Sequence, residues 1–163
     1  MLPKYHIIIN FFLSLILLFF LKPIYALIFF FSSFLIDIDH YIYYIIEKKR
    51  INLFRAYKWF KIKDEKWKKL TTKERKMHSN TFLFLHGIEP MLIIYLISRT
   101  YPSLFYPSLL FVVLGFSVHL LEDMVEEVKL GVAERKIFFF YSLYIFFTKE
   151  DFTKTIPEPD ELF

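Results

Sequence analysis

The chain has 163 residues, 56% of them hydrophobic, including 22 Phe and 11 Tyr, and it contains no Cys. The missing cysteine excludes disulfides and thiolate metal sites. The net charge of +4 is modest, and the aromatic and aliphatic content is more than a soluble domain of this length readily hides.

Met1 to Tyr5 is a short head carrying Lys4, followed by His6 and an apolar run from Ile7 to Leu21. Lys22-Pro23 breaks the run, and a second apolar stretch starts at once at Ile24. That continuation favours a transmembrane hairpin over a cleaved signal peptide. The first helix is about 16 residues, near the lower limit for a ~30 Å hydrocarbon core. The second is expected from about Ile24 to Ile46, and inside it lies Asp37-Ile38-Asp39-His40. An aspartate at the centre of a spanning helix costs about 2.5 to 3.5 kcal/mol. Something must offset that cost, and carboxylate with imidazole is the ligand set of a hydrolytic zinc site.

Residues 47–76 are different material, with 13 Lys/Arg against 4 acidic residues and interleaved Phe54, Tyr57, Trp59, Phe60 and Trp67. Between spanning segments this pattern describes interfacial helices on an anionic leaflet, with membrane lipid rather than nucleic acid as the partner. By the positive-inside rule the loop is cytoplasmic.

A third span is expected from about Thr81 to Ser98, containing His86, Glu89 and Pro90. A turn over 99–107 leads to a fourth span from about Leu104 to Leu121, which ends in His119, Glu122 and Asp123. Ile137 to Phe147 is too short to cross, and is placed at the interface or against the bundle. Residues 148–163, rich in Pro and acid, are expected to be a loose tail. The expectation is therefore one all-α domain over 1–163. It is an integral membrane bundle of about four transmembrane helices, with a basic interfacial helical loop and a short C-terminal apolar helix. The protein is then multi-pass in the cell membrane, with both termini cytoplasmic.

This topology puts most of the unusual ionisable residues on one side of the membrane. Asp37 lies ten residues from Glu47, the first charge of the basic loop, His86 ten from Lys76, the last, and His119 ten from Lys129. That is about 15 Å of helix, so the three share a layer, while His78 lies about 12 Å shallower than His86. The pairs His119/Asp123, His86/Glu89 and Asp37/His40 are spaced to share helix faces. Asp37 and Asp39 face apart in a regular helix. Either one binds and the other orients a ligand, or the helix unwinds there. The candidate metal ligands are His6, Asp37, Asp39, His40, His86, His119 and Asp123. Glu89 and Glu122 are candidate catalytic bases. So many donors suit one or two divalent ions, zinc foremost.

Asp37-Ile38-Asp39-His40 after a spanning helix, the early His6, a central histidine before the third span, and Gly115-Phe116-Ser117-Val118-His119-Leu120-Leu121-Glu122-Asp123 together resemble a known family. It is the family of small membrane-bound metal-dependent hydrolases that includes LexA-regulated inner-membrane proteins of bacteria, distantly similar to zinc-dependent phospholipase C. The resemblance covers about Tyr5 to Asp123 and implies a hydrolase without fixing its substrate; a site opening near the cytoplasmic interface suits a lipid or another membrane-associated phosphoester or ester. Ile36 stands where the family commonly has Pro, and Lys73 where bacterial members carry a His. The family motif favours His78, next to Ser79, as the central ligand, whereas the depth comparison favours His86. The same intramembrane residues also describe a non-enzymatic protein: an ion or proton pathway, or a structural or regulatory protein with a vestigial metal site.

Overall fold

The computed structural model describes residues 3–100, 106–133 and 138–157. The fold is all-α. Helices α1 (Pro3–Leu17), α2 (Pro23–Leu35), α3 (Ile38–Lys48), α4 (Leu53–Lys69), α5 (Thr72–Met77), α6 (Ile88–Thr100), α7 (Tyr106–Leu130) and α8 (Phe139–Thr148) follow in chain order. The strands β1 (His78–Ser79) and β2 (Glu150–Asp151) pair in parallel, and a 3₁₀ turn covers Phe152–Thr155.

Two helical stretches are long and apolar enough to cross a membrane: Pro23–Lys48, 26 residues spanning α2 and α3, and Tyr106–Leu130, 25 residues. They pack together at the centre, with α1 against α2 and α6 against α7. Gly115 makes the central contact possible. A Cβ there would stand 2.1 Å from Ser32 Oγ and 2.7 Å from the Phe29 carbonyl oxygen. Small residues at the crossing let two backbones approach, the usual device of helix pairs in lipid. Gly115, His119, Asp123 and Glu127 recur every fourth residue and are all buried, so the glycine contact also turns His119 and Asp123 inward.

α1 is built inside out. His6, Asn10 and Ser14 form its buried stripe, while Ile8, Phe12 and Ile16 are 53%, 60% and 54% exposed. At 15 residues α1 is shorter than a standard span, as is α6 with 13. The first turn covers residues 18–22, earlier than the Lys22-Pro23 break, and Pro23 opens α2 at its first position, where no amide donor is needed.

Residues 81–87, expected to begin the third span, are not helical. Gly87 is pressed against α8, where an added Cβ would meet Phe139 Cβ at 2.9 Å. Helix α6 starts only at Ile88, with Pro90 in its first turn. Residues 148–157, expected as the start of a loose tail, are folded instead. β2 pairs with β1, and Phe152, Thr153 and Ile156 are buried. Phe152 and Ile156 complete an apolar core with Tyr44, Ala56, Trp59 and Trp67, which explains why this segment is held. Most of the turn expected at 99–107, the start proposed for the fourth span at Leu104, and residues 158–163 of the tail lie outside the described residues.

The basic segment folds as α4 and α5. Asn52 caps α4 by accepting the Arg55 amide at 3.0 Å, and Thr71 with Glu74 forms a capping box on α5. The buried Arg75 donates to the carbonyls of Trp67, Leu70 and Leu130. It thereby ties the C-terminal ends of α4 and α7 together, where a cation is favoured.

Candidate metal centre

The organising element is the break between α2 and α3. There the amides of Asp37 and His40 donate to the carbonyls three residues back, Phe34 and Asp37, both at 3.1 Å. Tightening to three residues per turn brings the Asp37 and Asp39 side chains from about 160° to about 120° apart around the axis. Asp37 and His40 then lie one above the other. Both aspartates thus reach one neighbour, His86, which arrives from the irregular 81–87 segment.

His86 is clamped from one side and offered on the other. Its Nδ1 lies 3.0 Å from Asp39 Oδ2, which also accepts the Leu85 amide at 3.0 Å. His119 is held in the same manner: its Nδ1 donates to the Ser33 carbonyl oxygen at 2.7 Å. A carbonyl can only accept, so the proton sits on Nδ1 and the lone pair on Nε2. With His86 Nδ1 likewise protonated toward the carboxylate, two Nε2 lone pairs face each other at 3.3 Å.

Carboxylate oxygens surround this pair. Asp37 Oδ1 is 3.6 Å from His86 Nε2 and 3.5 Å from His119 Nε2. Asp123 Oδ2 is 3.7 Å and 3.8 Å from the same atoms. His40 Nε2 stands 3.5 Å from Asp37 Oδ1, so that one oxygen is nearly equidistant from three imidazoles. These separations are long for hydrogen bonds. They match the spacing of neighbouring ligands around one tetrahedral ion with ~2.1 Å bonds, which is about 3.4 Å. Three overlapping groups can hold an ion: His6 with Asp37 and His119, Asp37 with His40 and His86, and His86 with His119 and Asp123. His86, His119 and Asp123 are each no more than 4% exposed. Asp37 Oδ2 is buried without a hydrogen-bond partner, so the site has donor capacity that the protein itself does not use.

His6 reaches the cluster from α1. Its ring stacks on His119 with centroids 4.0 Å apart, its Nδ1 meets Glu122 Oε2 at 2.5 Å, and its Nε2 lies 3.3 Å from Asp123 Oδ1. Asn10, one turn further along α1, also donates to Glu122.

Asp39 takes the orienting one of the two roles open to it, and Glu122 and Glu89 take other roles than the sequence assigned. Asp39 orients His86 rather than joining an ion-holding group, because it lies on the other side of the turn from Asp37. Glu122 fixes His6, because its position on α7 faces α1. Glu89 accepts the Phe139 amide at 2.9 Å and caps α8. Its expected face-sharing with His86 fails because α6 begins after His86. His78 sits in β1 near Glu150, at 3.9 Å, and His86 is the central histidine that the fold brings to the cluster. Asp37, His86 and His119 do come together, but His86 reaches them on the irregular 81–87 segment and not at the end of the helix that the count from Lys76 assumes.

A cavity of about 160 Å³ adjoins the cluster. Asp37 and His40 belong to both. Its remaining wall comes from α4, including Leu53, Tyr57, Phe60, Lys63 and Trp67, from Asn80, and from Glu126 and Glu127 of α7. Lys68 bridges Asp64 and Glu126 at 2.7 Å and 2.6 Å. Partial burial would lower its pKa, but those two carboxylates outweigh burial and hold it at about 12. No protein-family model, curated protein or solved structure matches the chain. The functional reading therefore rests on the geometry of this cluster.

Proposed function

We propose that the protein is a membrane-bound metal-dependent hydrolase, a member of the family its sequence resembles, acting on a membrane-associated phosphoester or ester. The observation that carries this reading is the pair of Nε2 lone pairs 3.3 Å apart, flanked by Asp37 and Asp123 oxygens at ligand spacing. Such a group of acceptors is satisfied by a cation placed between its members, and its spacing suits a metal ion. Imidazole nitrogen and carboxylate oxygen are the donors zinc prefers in catalytic sites, and the overlap of the three groups leaves room for one or two ions.

His86, His119, Asp37 and Asp123 hold the ion, with His40 and His6 on its two sides. Asp39, the Ser33 carbonyl and Glu122 fix the tautomers and ring orientations of these histidines. A divalent ion here supplies an ionised water at neutral pH and polarises the oxygen of the scissile group. In the same reading α1, α2–α3, α6 and α7 form a multi-pass bundle in the bilayer. The basic α4–α5 segment and both termini then lie on the cytoplasmic side.

The test is turnover. Full-length protein, purified in detergent and loaded with zinc or manganese, is given mixed lipid vesicles, and the products are read by mass spectrometry. Hydrolysis that chelator and Asp123→Asn both abolish is expected. A folded, metal-loaded protein that cleaves no ester or phosphoester overturns the enzymatic reading. Proton flux in proteoliposomes, lost in His119→Ala, would instead favour the ion-pathway alternative.

A further inference from the structure

His86 reaches the cluster on residues 80–87, a stretch that is neither helix nor strand. His6, His40, His119 and Asp123 ride on helices, whose backbone hydrogen bonds fix them. Asp39 aims the His86 ring through Nδ1 at 3.0 Å, but a ring can be aimed only from a backbone that stays in place. Within the stretch the amides of Thr81 and Leu85 turn to side chains, to Asn80 Oδ1 at 2.9 Å and Asp39 Oδ2 at 3.0 Å. The rest of the stretch is held from outside.

Helix α8 and the strand after it supply that hold along the whole length. At the start of the stretch, β1 pairs with β2, and Ser79 Oγ donates to the Glu150 carbonyl oxygen at 3.3 Å. In the middle, the Phe82 ring packs on Phe139 and Phe146, with centroids 5.3 Å and 5.6 Å away. At the end, Glu89 Oε2 accepts the Phe139 amide at 2.9 Å. Gly87 permits that approach, since an added Cβ would stand 2.8 Å from Glu89 Oε2 and 3.0 Å from the Phe139 nitrogen. Phe139, Leu143 and Phe146 are spaced to share one face of α8. Phe140, Tyr144 and Phe147, about 100° further round, are exposed.

The Glu89 carboxylate also satisfies an amide that α8 leaves open, because Phe138 at its N-cap makes no side-chain cap. The N-terminal end of a helix favours that negative charge. One contact therefore serves two ends: it starts α8, and it anchors the chain just beyond His86. Glu89 itself belongs to none of the ion-holding groups.

We propose that α8 is a positioning element of the metal centre. Glu89 and the Phe139–Phe146 face clamp residues 80–87, and so set where His86 presents its Nε2 to the ion. Glu89, Phe139 and Phe146 act through His86 and touch no ion themselves. This inference rests on the metal site proposed above and adds a part of the chain outside it to its construction.

The experiment titrates full-length protein in detergent with Co²⁺ after chelator treatment. Visible absorption is followed, because its bands report the geometry of the ligands. Glu89→Ala is expected to bind Co²⁺ about 10- to 100-fold more weakly, the effect of removing an outer partner of a ligand. Its bands should move toward those of His86→Ala. Glu89→Gln keeps an acceptor for the Phe139 amide and should stay near wild type. Phe146→Ala removes no metal-binding atom, and should weaken binding in the same direction, with Phe146→Leu restoring it. Phe147→Ala, on the exposed side of α8, should change nothing. The decisive arm is a double-mutant cycle: once His86 is replaced by Ala, Glu89→Ala should add no further loss. Full additivity in that cycle overturns the proposal, as does wild-type affinity in both Glu89→Ala and Phe146→Ala. A loss in Glu89→Ala that Glu89→Gln does not rescue and Phe146→Ala does not share overturns it in favour of Glu89 as a ligand. If Glu89→Ala fails to fold, Phe146→Ala takes its place in the cycle. Wild type that binds Co²⁺ with additive losses in the variants sinks the role of α8 alone, whereas folded wild type that binds no Co²⁺ sinks the metal site itself.

Discussion

In α1 and α7 the side chains turned inward are His6, Asn10, Ser14, His119 and Asp123, whereas around α4 they are Tyr44, Ala56, Trp59 and Trp67. The first region hides polar groups and exposes Ile8, Phe12 and Ile16. The second hides aromatics and turns Lys61, Lys66 and Lys69 outward. One chain therefore carries two opposite solvent patterns. Burial of polar groups is stable only where they satisfy one another or an ion, and a continuous exposed apolar face is the kind that an apolar partner covers. The α4 region buries its aromatic core as a water-facing helix does, although Leu53 and Phe54 at its start are exposed and Lys63 is buried. The cluster lies on the seam between the two, with Asp37 and His40 facing the cavity that α4 closes.

The comparison is sharpened by substitutions on each side. The largest effect on folding is expected from Trp59→Ala, which empties the centre of the aromatic core. It should cost about 3 to 5 kcal/mol in a denaturation experiment. Next comes Phe12→Asp, on the outer face of α1. If that face meets lipid, the carboxylate costs about 2.5 to 3.5 kcal/mol and lowers membrane insertion. On a water-facing surface the same change would stay within about 0.5 kcal/mol, so a neutral result would break the comparison. Gly115→Leu should cost about 1 to 3 kcal/mol by pushing α7 from Ser32 and Phe29. Because His119 moves with α7, metal content should fall along with stability. The smallest effect is expected from Thr71→Ala, which removes the α5 cap at a cost of about 1 kcal/mol. Metal content should not change, since α5 lies outside the cluster.

Much of the centre could be read from residue spacing. Asp37-Ile38-Asp39-His40 stood out because charge in an apolar run is costly. The four-residue spacing of His119 and Asp123 does place them on one buried face of α7. Counting residues from the charged anchors groups Asp37, His86 and His119, although residues 78–87, which lead to His86, are not helical, so the count does not measure helical depth there. The same reasoning failed where the chain is not helical. Glu89 was paired with His86 on the assumption of a continuous helix, and the turn at Gly87 separates them. The folding of residues 148–157 was hidden for another reason. It depends on two residues of parallel pairing between β1 and β2, and on Phe152 and Ile156 filling a distant core, and neither leaves a periodic signal. The role of Glu122 required knowing which helix faces α1, which is a property of packing and not of spacing.

The most direct test of the central claim is elemental analysis of the detergent-purified chain after reloading with zinc or manganese, beside a double variant of Asp39→Ala and His119→Ala. Wild type should retain divalent metal in near-stoichiometric amount after desalting. The double variant should lose it, because one change releases His86 from its orienting carboxylate and the other removes a ligand. Wild-type protein that is folded and holds no metal after reloading would contradict the account.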